Sequence, residues 1–213
     1  MSYRAVIFDL GGVVFPSPFD AFDAYERANG LPERFIRSVV AASADHGAWA
    51  RLERSEVAFE QFCTELEAEC AAAGGAVDAA ALMAEIGRDF EPRAEMIAAI
   101  HAIKAHRLRV GALTNNWAPV EDAADRVPHA LGHLGAFDAV VESAVEGLRK
   151  PDPRIYKLAC ERLGVQPPEC VFLDDLGVNL KPARAMGMTT IKVADAPSAV
   201  AELASVLGFS LDG

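Results

Sequence analysis

Three acidic residues, a threonine with two asparagines after it, and a lysine stand at related places in this sequence. Asp9 closes the apolar run Val6-Ile7-Phe8, Thr114-Asn115-Asn116 follow a run ending in Leu113, and Asp174-Asp175 follow Val171-Phe172-Leu173. Between the last two stands Lys150, in the turn-forming stretch Gly147-Leu148-Arg149-Lys150-Pro151-Asp152-Pro153. Carboxylate oxygens suit a hard divalent cation such as Mg2+. A lysine ammonium, a threonine hydroxyl and an amide donate to the oxygens of an anion. An aspartate with the ordinary pKa near ~3.9 is ionised at neutral pH and can attack an electrophilic centre, provided cations offset its repulsion from an anionic substrate. Singly, such residues are commonly helix caps or solvated turn residues; the ordered set is what singles them out.

Side chains so far apart in sequence meet only if the runs before them are strands of one sheet. Ala5 to Phe8, Arg109 to Leu113, Cys170 to Leu173 and Thr189 to Val193 are rich in Val, Ile, Leu and Phe without alternation, the pattern of strands buried on both faces and therefore parallel. In an open parallel sheet, ligands bind beyond the carboxyl ends of the strands, where these residues fall. Helical spacing separates the runs: Met96, Ile97, Ile100 and Ile103 after Pro92, and Ile155, Leu158, Ala159 and Leu163 after an expected N-cap at Asp152 with Pro153 at the first helical position. The pattern predicts an α/β fold with a doubly wound, Rossmann-like parallel sheet.

One stretch breaks the alternation. From Pro16 to about Phe90 the spacing is helical (Phe22 and Tyr25; Phe35, Ile36, Val39 and Val40; Phe59, Phe62, Cys63 and Leu66), with no strand pattern and a break at Gly74-Gly75. The sequence thus predicts a core of residues 1–15 and 91–213, with an α-helical cap, 16–90, inserted after the first strand.

Composition narrows the function classes. The chain has 213 residues, 52% hydrophobic and 24% charged, which suits a folded domain with a real core. A net charge of −11 without any basic run argues against nucleic acid or an anionic membrane as partner. The apolar start is too short for a signal sequence or a membrane span, so a cytoplasmic location is expected. Cys63, Cys70, Cys160 and Cys170 show no paired spacing and are expected as reduced core thiols.

The ordered motifs resemble those of the haloacid dehalogenase superfamily of hydrolases, in its phosphatase-type subfamily I. Four blocks carry the likeness: Phe8-Asp9-Leu10-Gly11-Gly12-Val13; Leu113-Thr114-Asn115-Asn116-Trp117; Lys150-Pro151-Asp152-Pro153 with Arg154-Ile155-Tyr156-Lys157; and Val171 to Arg184, with Val141-Glu142-Ser143 between the second and third. The resemblance implies a Mg2+-dependent phosphate-monoester hydrolase with Asp9 as nucleophile and Thr114 and Lys150 as its catalytic partners. It further implies metal binding by Asp9, the Gly11 carbonyl, Asp174 and Asp175, and substrate contacts from Gly12, Asn115, Asn116 and Trp117. A small phosphorylated metabolite or a lipid phosphate is the expected substrate, while oligomeric state stays open.

At one position the chain departs from the superfamily's phosphatases. They usually carry a second Asp two residues after the nucleophile, where it protonates the leaving alkoxide and activates water; here Gly11 stands in its place. General acid–base assistance is worth ~10²–10⁴ in rate, so turnover is expected to be weak on poor leaving groups. Two other readings follow: a 2-haloacid dehalogenase, which needs no proton donor there, or a catalytically impaired domain that binds a phosphorylated or CoA-type ligand. Asn179 can be either a helix cap or a group reaching the metal site. His129 and His133 have the spacing of helical zinc ligands but no third ligand, so they are expected as surface histidines; His46, His101 and His106 carry no argument.

Overall fold

The computed structural model describes residues 3–86, 91–117 and 135–211. Strand β1 is Ala5–Phe8, and five helices follow: α1 (Pro18–Asn29), α2 (Phe35–Ser43), α3 (Ala48–Glu53), α4 (Phe59–Ala72) and α5 (Ala79–Ile86). Helix α6 (Ala94–Ala105) leads to β2 (Arg109–Thr114); β3 (Ala139–Glu142) runs into the short α7 (Ser143–Glu146). The chain ends with α8 (Pro153–Leu163), β4 (Cys170–Asp174), α9 (Gly177–Ala185), β5 (Thr189–Lys192) and α10 (Ala196–Leu207).

All strand pairs are parallel, in the order β3-β2-β1-β4-β5. Alternate side chains leave opposite faces, as the strand period of two demands. Val6, Phe8, Val171 and Leu173 pack on α6 and α10 through Met96, Ile100, Ile103, Ala199 and Leu203. Ile7, Cys170 and Phe172 pack on α8 and α9 through Ile155, Ala159, Leu163, Leu180 and Ala183. Helices cover both faces, which makes the sheet doubly wound as expected.

The four strands read from the sequence are present, and a fifth, β3, joins them at the sheet edge. Its residues are mostly half-buried, and only Val141 shows the burial that marks β1, β2 and β4; β5, at the other edge, has Ile191 alone buried, so the expectation of burial on both faces does not hold there. Helix α8 begins as the capping residues predict: the Asp152 side chain accepts from the Arg154 N–H, and Pro153 occupies the first turn. Helix α4 stops at Ala72, just before Gly74-Gly75.

Helices α1 to α5 surround a separate core of Phe22, Ile36, Trp49, Phe62, Leu66 and Leu82, distinct from the two sheet faces. The chain leaves and re-enters the sheet layer at one place. There Arg93 donates to the carbonyls of Gly12 (2.7 Å) and Val13 (3.1 Å), and its own N–H reaches Val14 at 2.8 Å, so the two connecting segments are tied together.

Candidate active site

The carboxyl ends of β1, β2 and β4 come together because these strands are neighbours in the sheet. Asp9 follows β1 and is locked into the ladder by its N–H to the Leu173 carbonyl at 2.9 Å. Asp174 is the last residue of β4, with Asp175 directly after it. Lys150 lies just before α8, next to Pro151 across a cis peptide bond. Its long side chain runs inward until the ammonium stands 2.7 Å from Asp9 Oδ2 and 2.7 Å from Asp174 Oδ2. Lys150 is 1% exposed, a burial that lysine tolerates only with ionised partners at its head.

Asp174 has no free oxygen. Oδ1 accepts from the Leu176 N–H (2.8 Å) and from Asn179 Nδ2 (3.0 Å), while Oδ2 takes Lys150 and a longer approach of the same amide. Asn179 therefore does not cap α9, whose N-cap is Leu176 without a side-chain bond; of its two expected roles the structure fits the other, the side chain reaching the acidic cluster, where it orients Asp174. Its own carbonyl accepts from the buried Tyr156 hydroxyl at 2.7 Å. Asp9 Oδ1 accepts from the Leu10 N–H at 2.7 Å.

Asp175 is the least buried of the three acids. It lies against Gly12, whose φ of 79° is the left-handed region; a Cβ at Gly12 would collide with the Asp175 carboxylate. One oxygen from each of Asp9, Asp174 and Asp175 fall within 4.8 Å of one another. Burial pushes the Asp9 carboxyl well above the usual carboxylate range against the pull of Lys150, and burial with the Asp174 charge pushes Asp175 up to about 6. Lys150 is driven down by burial, but the charges of Asp174 and Asp9 more than reverse this and leave it above its ordinary value. Three acids thus share one ammonium, an imbalance that a divalent cation with oxygen ligands would relieve. The donor set fits Mg2+, since it consists of carboxylate oxygens, the hard ligands that this cation takes.

The other expected site residues are placed differently from one another. Thr114 is buried at the end of β2, its hydroxyl 3.4 Å from the Asn115 carbonyl. The Asn115 side chain is engaged with the Lys150 backbone, and Asn116 is turned away altogether. Its amide donates to Glu142 at 2.7 Å, its Oδ1 accepts from the Ala144 N–H, and its backbone exchanges bonds with the Ser143 hydroxyl. Asn116 thus binds β2 to the β3–α7 turn. The Gly12 N–H is taken by the Pro16 carbonyl at 3.2 Å. Trp117 is half-buried and meets Trp49 of α3 edge-on at 5.5 Å. His129 and His133 lie outside the described residues.

Two charged residues at this rim carried no signal of their own in the sequence: Arg149, beside the lysine motif, and Glu53 at the end of α3. Arg149 Nε donates to Glu53 Oε2 at 2.7 Å and its NH1 to Asp45 at 2.7 Å. The same Glu53 accepts from the Trp49 indole at 2.9 Å.

Comparison with known proteins agrees with this geometry. A family model described as a haloacid dehalogenase-like hydrolase matches residues 3–187. Acyl-CoA dehydrogenase family member 10 of Mus musculus is 39% identical over 99% of this chain, and bifunctional epoxide hydrolase 2 of Sus scrofa is 34% identical over 99% of it. The chain spans only 20% and 40% of those two proteins. The sesquiterpene phosphatase astK of Aspergillus oryzae is 25% identical over 97% of this chain and 98% of its own length. Among solved structures, a HAD family enzyme of Bacteroides thetaiotaomicron in complex with magnesium and inorganic phosphate shares the fold, with a TM-score of 0.61 at 17% identity over 90% of this chain and 94% of its own. With its sheet, the order of its rim residues and these likenesses taken together, the chain belongs to the haloacid dehalogenase-like hydrolase family.

Proposed function

We propose that this chain is a Mg2+-dependent phosphate-monoester hydrolase working through a phospho-aspartyl intermediate on Asp9. The observation that carries the reading is the Lys150 ammonium held between Asp9 and Asp174 on a rim that also holds Asp175. A phosphatase among the relatives, and the magnesium and phosphate held by a structural neighbour, support it.

Asp9, Asp175 and the Gly11 carbonyl would hold the cation, while Asp174, fully engaged with protein donors, fixes Lys150. Mg2+ bound there would supply positive charge that draws in the phosphoryl oxygens and lowers their repulsion of the Asp9 carboxylate. Lys150 contributes a second, preorganised charge, with the Thr114 hydroxyl and the backbone N–H of Asn115 as donors to the remaining oxygens. Asp9 attacks phosphorus, the bond to the alcohol oxygen breaks, and the alkoxide takes a proton from water because Gly11 offers none. Water then attacks the phosphorus, restoring the Asp9 carboxylate and releasing inorganic phosphate. Esters with good leaving groups turn over fastest on this account.

Residues 16–90 act in this reading as a cap over the rim, and 1–15 with 91–213 as the catalytic core. The substrate is a small phosphorylated metabolite or a lipid phosphate. Gly11 also favours a second reading, attack of Asp9 on the carbon of a 2-haloacid; the Asp174-Asp175 pair speaks against it, since that chemistry needs no metal. Phosphate release from an aryl phosphate that requires Mg2+ supports the first reading; chloride release from a 2-chloro acid in EDTA supports the second. If neither occurs and phosphate still binds, the chain is a ligand-binding domain.

A further inference from the structure

Among the described residues, helices α1 to α5 meet the rim at a polar contact, centred on the buried Glu53, that reaches the residue next to Lys150. Glu53 sits at the end of α3 and is 6% exposed. One of its oxygens accepts from Arg149 Nε at 2.7 Å and the other from the Trp49 indole at 2.9 Å, so the carboxylate is filled from both sides. Asp45, before α3, takes a second nitrogen of the same guanidinium at 2.7 Å, and the Ser55 hydroxyl donates to the Ala144 carbonyl at 2.8 Å. The chain between Asp45 and Ser55 thereby closes on the Ser143–Lys150 segment.

We infer that Glu53 and Arg149 are positioning residues for the reaction proposed above: their ion pair holds the segment that carries Lys150, so that the ammonium reaches Asp9 only while the helical insert is docked. The inference rests on that assignment of Lys150. Arg149 and Lys150 are adjacent, so displacement of one backbone unit displaces the other. The Lys150 N–H is itself bonded, to Asn115 Oδ1 at 2.8 Å, and the Asp152 N–H to the Arg149 carbonyl at 2.9 Å. A loosened Arg149 would therefore release amide protons at identifiable places. Burial pushes the Glu53 carboxyl up while Arg149 and Trp49 pull it down; the helical insert spends desolvation free energy here that a peripheral contact would not require. Geometry of this kind has leverage, because misplacing a reacting group by about 1 Å can cost ~10²-fold in rate.

The choice of variants follows from the contact. Glu53→Gln keeps the shape, but its NH2 faces either the indole N–H or the guanidinium, donor against donor. Arg149→Gln removes the partner, and Arg149→Lys keeps the charge while losing the fork. The chain has two tryptophans, Trp49 and Trp117, in edge-on contact with each other at this junction, so indole emission reports its integrity in any folded variant.

The test measures three things on the 213-residue chain: steady-state kinetics with an aryl phosphate and Mg2+, tryptophan emission, and hydrogen exchange of residues 147–152. In Glu53→Gln and Arg149→Gln we expect red-shifted emission, faster exchange of that segment, and a kcat lowered about ten- to a hundredfold. KM should stay within about twofold, Arg149→Lys should fall between, and the double variant should be no worse than either single one. A purely structural role would lower the melting temperature and leave kcat per folded molecule unchanged; that result, with or without faster exchange, overturns the inference. If the unmodified chain releases no phosphate, the hydrolytic reading fails by itself. Exchange at 147–152 then decides whether Glu53 holds the Lys150 segment, and exchange equal to that of the unmodified chain refutes it.

Discussion

Asn115 clasps the backbone of Lys150 on both sides: its Nδ2 donates to the lysine carbonyl at 3.1 Å and its Oδ1 accepts from the lysine N–H at 2.8 Å. The two residues are 35 apart in sequence, so the pair bolts the end of β2 to the segment before α8. Of the groups Asn115 could offer a substrate, its backbone N–H is the one this clasp leaves unused.

Asn115→Ala removes both bonds and leaves a backbone donor and acceptor wanting partners. At about 1 kcal/mol per net hydrogen bond, a loss of ~2 kcal/mol in unfolding free energy is expected in urea denaturation. The folded fraction should show a reduced kcat, since the Lys150 ammonium is no longer fixed.

Gly12 is open to a similar test. With φ at 79° and the Asp175 carboxylate where a Cβ would lie, Gly12→Ala must displace Asp175 or the turn. The expected outcome is at least tenfold weaker Mg2+ binding by calorimetry, with the far-UV spectrum retained. Undiminished Mg2+ affinity would remove Asp175 from the cation site.

Gly11 is permissive, in contrast. Its φ is not positive, and a Cβ there would make ordinary contact with Pro18 Cδ at 3.4 Å. Gly11→Asp should therefore fold, and it should raise turnover of alkyl phosphates, whose leaving groups need a proton, by tenfold or more within the ~10²–10⁴ that such assistance supplies. No gain in a folded, Mg2+-binding variant would show that the missing acid is not what limits the rate.

The capping of α8 predicts a pH dependence. The Arg154 side chain, against a smaller opposing effect of burial, holds the Asp152 carboxyl below its usual range. A carboxylate with a depressed folded-state pKa stabilises the fold above its unfolded value and loses that contribution as pH falls through the folded value. Asp152→Ala should thus cost ~1 kcal/mol at neutral pH, and the difference from the unmodified chain should vanish in acid. A cost unchanged down to the acid limit would contradict the capping role.

How far the sequence carried depends on what kind of information each feature needs. Strands β1, β2 and β4 announce themselves because burial on both faces demands continuous apolar runs. β3 lies at the edge, half-buried, and turns at once into α7, so Ala139–Glu142 has too little pattern to stand out. Asp9, Lys150, Asp174 and Asp175 were legible because strand ends and turn residues are positioned by topology alone. The partners of Asn115, Asn116 and Asn179 were not, since an amide side chain takes whichever groups the tertiary fold brings within hydrogen-bonding distance. Glu53 gave no signal at all. It is one of several charged residues around α3, and only the docking of the helices against Arg149 distinguishes it.

The most direct measurement is phosphate release from an aryl phosphate, with and without Mg2+, by the unmodified chain and by Asp9→Asn. Release should be abolished by EDTA, restored by Mg2+, and lost in Asp9→Asn while the fold persists. Release that survives in Asp9→Asn, or that proceeds equally well in EDTA, would contradict the proposed mechanism.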